Sequence, residues 1–275
     1  MPEIAPPQDN PPWFATCLDA LCDPQNQRVW SVIVSLFGDL AQAPGARISG
    51  QALNRVIQPM GIKPEAIRVA LHRLRKDGWL DSARAGRASI HFLTEGGRAQ
   101  SAAVTPRIYA RRPQPARDWH LLLAEDGTGA AALDEFLMTS DATQIARNAA
   151  LCPGPLPEGC EDFLALRAEP EQVPAWVQAQ ICPQELRDAC RALRAALDTC
   201  LAVNPAAQGP SPAQIATLRT LIVHRWRRVV LRHPDLPDAF FPGDWCGPAC
   251  RERVFRLLDT LPRPVLDRLD TDAAA

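Results

Sequence analysis

The stretch GIKPEAIRVALHRLRKDGWL, residues 61–80, decides how this chain is read. Pro64 suits the first turn of a helix, where a missing N–H costs no intrahelical bond. Ile67, Ala70, Leu71 and Leu74 follow at helical spacing and predict a buried stripe. Glu65, Arg68, Val69, His72, Arg73 and Lys76 lie mostly on other faces. Gly78 fits a C-terminal stop, because glycine takes the left-handed conformation that ends a helix. The segment is therefore a short helix with an apolar back and a cationic front.

Working outward, Trp79 to Arg84 and Arg87 to Leu93 read as two short strands turned at Ala85-Gly86. Ile90 and Phe92 alternate there with Ser89 and His91. Thr94 caps a further helix through about Val104. Upstream, Ser49 caps a helix carrying Leu53, Val56 and Ile57, ended by Pro59-Met60-Gly61. Before that, Asp23-Pro24 reads as the start of a helix bearing Val29, Trp30, Ile33, Val34, Phe37 and Leu40. Residues 1 to about 12 read as a Pro-rich, polar arm. Three helices, a hairpin and a helix outline a winged helix-turn-helix.

Charge agrees with that outline. Segment 44–98 holds ten basic and four acidic residues, about +6, in a chain of formal net charge -1. Such asymmetry is the footprint of a nucleic-acid module. A recognition helix of this kind enters the major groove. Lys63, Glu65, Arg68, Val69, His72 and Arg73 are the candidates for base edges. An arginine can grip guanine O6 and N7 in a bidentate way. Arg84 and Arg87, beside the hairpin turn, are candidates for the DNA backbone or minor groove. Ser49, Gln51 and Arg55 are candidates for phosphate near the second helix.

The remaining chain divides by pattern. The DNA-binding domain with its arm covers 1–105, and 106–117 is a linker with four arginines and three prolines. A small α+β domain covers 118–180, with strands at Trp119 to Leu123, near Thr143 to Ala149 and near Phe163 to Ala168, and a helix from Ala130 to Met138. A helical domain covers 181–275. Leu186, Cys190, Leu193, Leu197 and Leu201 form one stripe in it, and Ser211-Pro212 starts a long helix. The predicted class is α+β.

Composition excludes several alternatives. With 47% hydrophobic and 22% charged residues, wholesale disorder is excluded. The near-zero net charge excludes nucleic-acid binding by overall basicity. The start carries no signal-peptide pattern, and the longest apolar stretch, about Val29 to Phe37, is too short to span a bilayer. A cytoplasmic location without a membrane partner is expected. Nine cysteines, an odd number, argue against a fully paired disulfide framework. Their closest pairs, Cys17 with Cys22 and Cys246 with Cys250, have no histidine nearby in sequence. They read as small buried hydrophobes, so no metal and no cofactor are expected. GxSxG, HExxH, GxGxxG after a strand and the P-loop are all absent, so no enzyme is expected.

Several motifs resemble one family. Ser35-Leu36-Phe37-Gly38-Asp39, Gly61-Ile62, Ala66 through Leu74 and Gly78-Trp79-Leu80 look like the PaaX family. So do Gly86-Arg87 and Phe92-Leu93-Thr94. Far downstream, Trp226-Arg227-Arg228, Pro234-Asp235-Leu236-Pro237, Phe241-Pro242-Gly243-Asp244-Trp245 and Gly247 resemble its C-terminal signature. The resemblance implies a bacterial transcriptional repressor of phenylacetic acid catabolism. It further implies phenylacetyl-CoA as the effector that releases a palindromic operator, and hence a homodimer on double-stranded DNA. The middle domain would be ferredoxin-like, similar to small CRISPR-associated nucleases, and the C-terminal domain helical. An acyl-CoA needs cations and aromatics, and Arg225, Trp226, Arg227, Arg228 and Trp245 are the candidates. Two alternatives stand beside this reading. One is a CRISPR-type metal-dependent nuclease using Glu125 or Asp126 after the Leu121–Leu123 strand. The other is a ligand-independent DNA-binding protein.

Overall fold

A computed structural model describes residues 10–25, 27–86, 88–112, 118–167, 171–234 and 236–270. The chain opens with α1 (Pro12–Leu21), which buries Phe14, Cys17, Leu18 and Leu21. That spacing is helical, yet the Pro-rich start hides it in the sequence. Next comes α2 (Val29–Leu40), which begins six residues after Asp23. Asp23 does not cap it; its carboxylate lies 3.6 Å from Arg228 Nη1. The short β1 (Ile48–Ser49) leads into α3 (Gly50–Ile57), and α4 (Pro64–Lys76) follows. Strands β2 (Leu80–Ala85) and β3 (Ala88–Leu93) then precede α5 (Glu95–Ile108). These strands form an antiparallel sheet in the order β1-β3-β2, with Ile48 opposite His91 and Leu80 opposite Leu93.

The second sheet begins with β4 (Trp119–Leu123), followed by α6 (Gly129–Thr139). The single strand predicted near 143–149 is instead a hairpin of β5 (Thr143–Ala146) and β6 (Ala149–Pro153). Arg147 and Asn148 turn it, and a bulge falls between Gln144 and Ala146. β7 (Leu164–Leu166) completes an antiparallel sheet in the order β5-β6-β4-β7. Leu122, Leu133, Phe136, Ala150, Cys152, Cys160 and Phe163 form the core between sheet and helix. Burial on one sheet face supplies the drive, because apolar area leaves water.

Four further α-helices follow among the described residues: α7 (Ala175–Ile181), α8 (Gln184–Val203), α9 (Pro212–Val230) and α10 (Gly247–Thr260). Ser211 and Gln214 cap α9 reciprocally: Ser211 N donates to Gln214 Oε1 at 2.9 Å, and Gln214 N to Ser211 Oγ at 3.3 Å. No described helix is long and apolar enough to cross a membrane. Helix and sheet are mixed, as the predicted α+β class requires.

The chain folds as two compact units. One comprises residues 1–109, 192–228 and 249–275; the other comprises 110–191 and 229–248. The stretch 181–275 is thus shared between the units. Buried polar bonds explain why 192–228 and 249–275 belong with the N-terminal residues. Asp39 on α2 accepts from Arg219 Nε at 2.8 Å and Nη2 at 2.9 Å, from Tyr109 Oη at 2.7 Å and from Arg263 Nε at 3.1 Å. Trp226 Nε1 donates to Ile108 O at 2.9 Å, and Thr217 Oγ1 to Val56 O at 2.8 Å. A buried charge without such partners is costly. Burial opposes ionisation of Asp39, but Arg219, Tyr109 and Arg263 together hold its carboxyl below the usual carboxylate range.

The other unit has its own lock. His233 stacks on Phe241 at 4.2 Å between centroids and on Trp245 at 5.2 Å. Asp244 Oδ1 accepts from Arg187 Nη1 at 3.2 Å. A Cβ at Gly247 would lie 2.5 Å from the Trp245 indole, so only glycine lets the ring settle there.

Candidate nucleic-acid interface

Helix α4 follows Gly61, whose φ of +78° sets the turn from the preceding helix. Ile67, Ala70, Leu71 and Leu74 are buried, as the spacing predicts. Lys63, Glu65, Arg68, Val69, His72 and Arg73 are all exposed. Glu65, Arg68, Val69, His72 and Lys76 make one solvent-facing stripe, three and four residues apart. Val69 in its middle is 70% exposed, which folding alone does not call for. Arg68 lies 3.9 Å from Glu65 with both side chains largely in water, a weak pairing. Arg73 is more committed: it lies 3.4 Å from Asp77 and sits over the Trp30 ring at 5.4 Å.

Residues around α3 behave differently. Ser49 Oγ accepts from Ala52 N at 2.9 Å as the helix cap and also meets Asp270. Arg55 Nη1 donates to Leu269 O at 3.0 Å. The segment ending at Asp270 therefore already holds two of the three phosphate candidates, and Gln51 is left exposed. Arg84 is exposed near the hairpin turn, while Arg87 lies outside the described residues.

A cavity of about 820 Å³ opens between α3, α4 and the hairpin. Gln51 and Arg68 line it, and so do Asn54, Arg75, Ser89 and His91, which sequence reasoning left out. Arg75 carried a signal, since it sits seven residues after Arg68 on the same helix. His91 carried none, because strand alternation predicts only that it points away from Ile90. It is buried, with Nδ1 2.7 Å from Ser82 Oγ and Nε2 3.3 Å from Ser89 Oγ. Burial, then the Arg75 charge, push its pKa below the ordinary histidine value. The groove therefore presents guanidiniums beside an imidazole whose protonation is disfavoured.

The α9 candidates scatter, because consecutive helical residues point about 100° apart. Arg225 Nη1 donates to Ala20 O at 3.0 Å, at the end of α1. Trp226 is buried, with Arg251 over its ring at 5.1 Å. Arg228 meets Asp23. Arg227 Nη1 donates to Ser35 Oγ at 3.3 Å and lines a separate cavity. Trp245 belongs to the His233 and Phe241 stack. Glu125 and Asp126 are exposed, and neither falls in a metal-ligating cluster among the described residues. No disulfide joins any of the nine cysteines, and all but half-buried Cys22 are buried.

A family model described as PaaX-like protein matches residues 28–97, and one described as PaaX-like protein C-terminal domain matches residues 183–264. Transcriptional repressor PaaX of Escherichia coli strain K12 is 30% identical over 247 residues, covering 81% of this chain and 77% of that protein. The chain belongs to the PaaX family. A solved structure, an uncharacterised protein from Mycobacterium tuberculosis, superposes with a TM-score of 0.52. Its identity is 21%, over 87% of this chain and 96% of that one, so the likeness concerns fold. The first PaaX region carries the whole of α4 and the hairpin. The second ends just beyond Arg263, which reaches back to Asp39.

Proposed function

We propose that this PaaX-family protein is a sequence-specific, DNA-binding transcriptional repressor and not an enzyme. The observation that carries the reading is the exposed stripe of Arg68, Val69 and His72 on a helix whose opposite face is wholly buried. Helix, strand, two helices and a hairpin, with sheet order β1-β3-β2, fit a winged helix-turn-helix. In that module α4 enters the major groove, where Arg68 reads guanine and Val69 meets a thymine methyl. Arg75 reaches phosphate from the groove beside it, and Arg84 with Arg87 flanks the duplex from the hairpin. The second sheet, order β5-β6-β4-β7, fits a ferredoxin-like plan whose second helix is replaced by the loop 154–163.

The repressor acts as a homodimer on a palindrome, with recognition helices about 34–36 Å apart. An aryl-acyl-CoA, phenylacetyl-CoA in the first instance, releases it by binding the DNA-incompetent state more tightly. The family relationship to a repressor supports this reading, its non-enzymatic part included.

Selection from randomised duplexes, followed by fluorescence anisotropy on the enriched site, tests both halves. A palindromic consensus and its release by phenylacetyl-CoA are expected. Enrichment of no site would sink the repressor reading. Binding unchanged by saturating phenylacetyl-CoA would sink the effector.

A further inference from the structure

In the sequence Cys246 has Cys250 as its near neighbour, but folding brings a distant thiol to it. Cys190 Sγ, on α8, lies 3.2 Å from Cys246 Sγ, across 56 positions of chain. Both residues belong to the unit formed by 110–191 and 229–248. Sulfurs in a disulfide are about 2.05 Å apart, so an approach of roughly 1 Å would join these two.

The surroundings suit thiol chemistry. Cys246 directly precedes α10 and follows Trp245, whose ring stacks on His233. Asp244 pairs with Arg187 at 3.2 Å and with Arg191 at 3.7 Å, both on α8. Arg191 also feels the charge of Cys246. A cation and a helix start beside a thiol favour the thiolate, the nucleophilic form. Cys182, in the same unit, is the contrast: burial above all pushes its thiol up to about 11. Cys246 is 6% exposed and Cys190 0%, so a reagent little larger than water meets Cys246 first.

We propose that Cys190 and Cys246 form a redox-modification site, converted reversibly to a disulfide by a hydroperoxide. Cys246 sulfur attacks one peroxide oxygen; the O–O bond breaks, and the thiol proton leaves with the departing oxygen as water or an alcohol. The sulfenic acid left on Cys246 is then attacked by Cys190 sulfur. The S–S bond forms, the S–O bond breaks, and the Cys190 proton departs with the hydroxyl as water. The two thiols together lose two electrons and two protons, and the peroxide is reduced. A dithiol such as dithiothreitol reverses the change by exchange. The disulfide fastens α8 to the segment carrying Phe241 and Trp245, and by closing a long loop it restricts the unfolded chain.

Peptide mass mapping of the full chain, purified reduced and then treated with hydrogen peroxide, tests the assignment without any variant. A Cys190–Cys246 link that dithiothreitol removes is expected. Oxidation should raise the melting temperature by about 5 °C or more, and reduction should return it. Cys190→Ala should leave Cys246 as a sulfenic acid trapped by dimedone, whereas Cys246→Ser should leave none at Cys190. Cys250→Ser should still form the link. No link between Cys190 and Cys246 at millimolar peroxide overturns the proposal. So does a link from Cys246 to Cys250 in place of Cys190. Stoichiometric zinc in the purified chain, shielding both thiols until a chelator removes it, overturns the proposal in favour of a metal site.

Discussion

Arg68 is held by little more than a surface pairing with Glu65, so its guanidinium is available to a base. Arg68→Ala should cost about 1–3 kcal/mol on the preferred site and relax preference at one position, read by anisotropy on substituted duplexes. Asp39 is the opposite case, a buried carboxylate between two arginines and a tyrosine. Asp39→Ala should destabilise the fold by about 3–5 kcal/mol, measured by urea unfolding, because buried guanidinium is left unpaired. His224 sits 3.1 Å from Ser35 Oγ. Burial, then the charges of Arg228 and Arg227, move its pKa from 6.5 to about 4. The folded state thus binds fewer protons than the unfolded state, and stability is lost as pH falls from 6.5 toward 4. The loss is about 3 kcal/mol below that window, and His224→Asn should flatten it in urea midpoints taken at pH 7.5 and 4.5. The sequence marked Arg68 by its place on a helix. Nothing local marked the roles of Asp39 and His224, because Arg219 and Ser35, which meet them, lie nearly two hundred positions away.

Elements meet where side chains are small. A Cβ on Gly97 would lie 2.2 Å from Trp79 O, so α5 can pass over the start of the hairpin only with glycine there. Gly97→Ala should cost about 1–3 kcal/mol or more and lower the melting temperature, since backbone must move. The helices with clean 3.6-residue stripes, α4, α8 and α9, were legible from spacing. The start of α2 was not: Asp23-Pro24 has the chemistry of a cap, but Arg228 takes the carboxylate. The 143–153 hairpin also escaped notice. A two-residue Arg147-Asn148 turn leaves too little polar chain to break a pattern.

Over the whole molecule, α4 and the hairpin proposed to meet DNA lie within 1–109, but their support does not. Residues 192–228 and 249–275 supply the partners of Asp39, Ile108 O and Val56 O. A fragment of residues 1–109 should therefore fail to unfold cooperatively, as circular dichroism on heating would show, while the full chain does. A sharp transition in the fragment would mean that these bonds add little. Charge works at the same scale. About +6 within 44–98 is balanced by an acidic remainder, so the field of the chain is positive only locally.

The sequence by itself determined the mixed class, the order of elements around α4 and the cationic front of that helix. These follow from local periodicity, capping chemistry and charge, which act over a few residues. Only the tertiary structure decided which arginines are free. Arg225, Arg227 and Arg228 are alike in the sequence, yet one caps a helix, one pairs with Asp23 and one faces a cavity. The physical reason is that a buried cation's role is set by what desolvates and compensates it, and those groups arrive from distant segments.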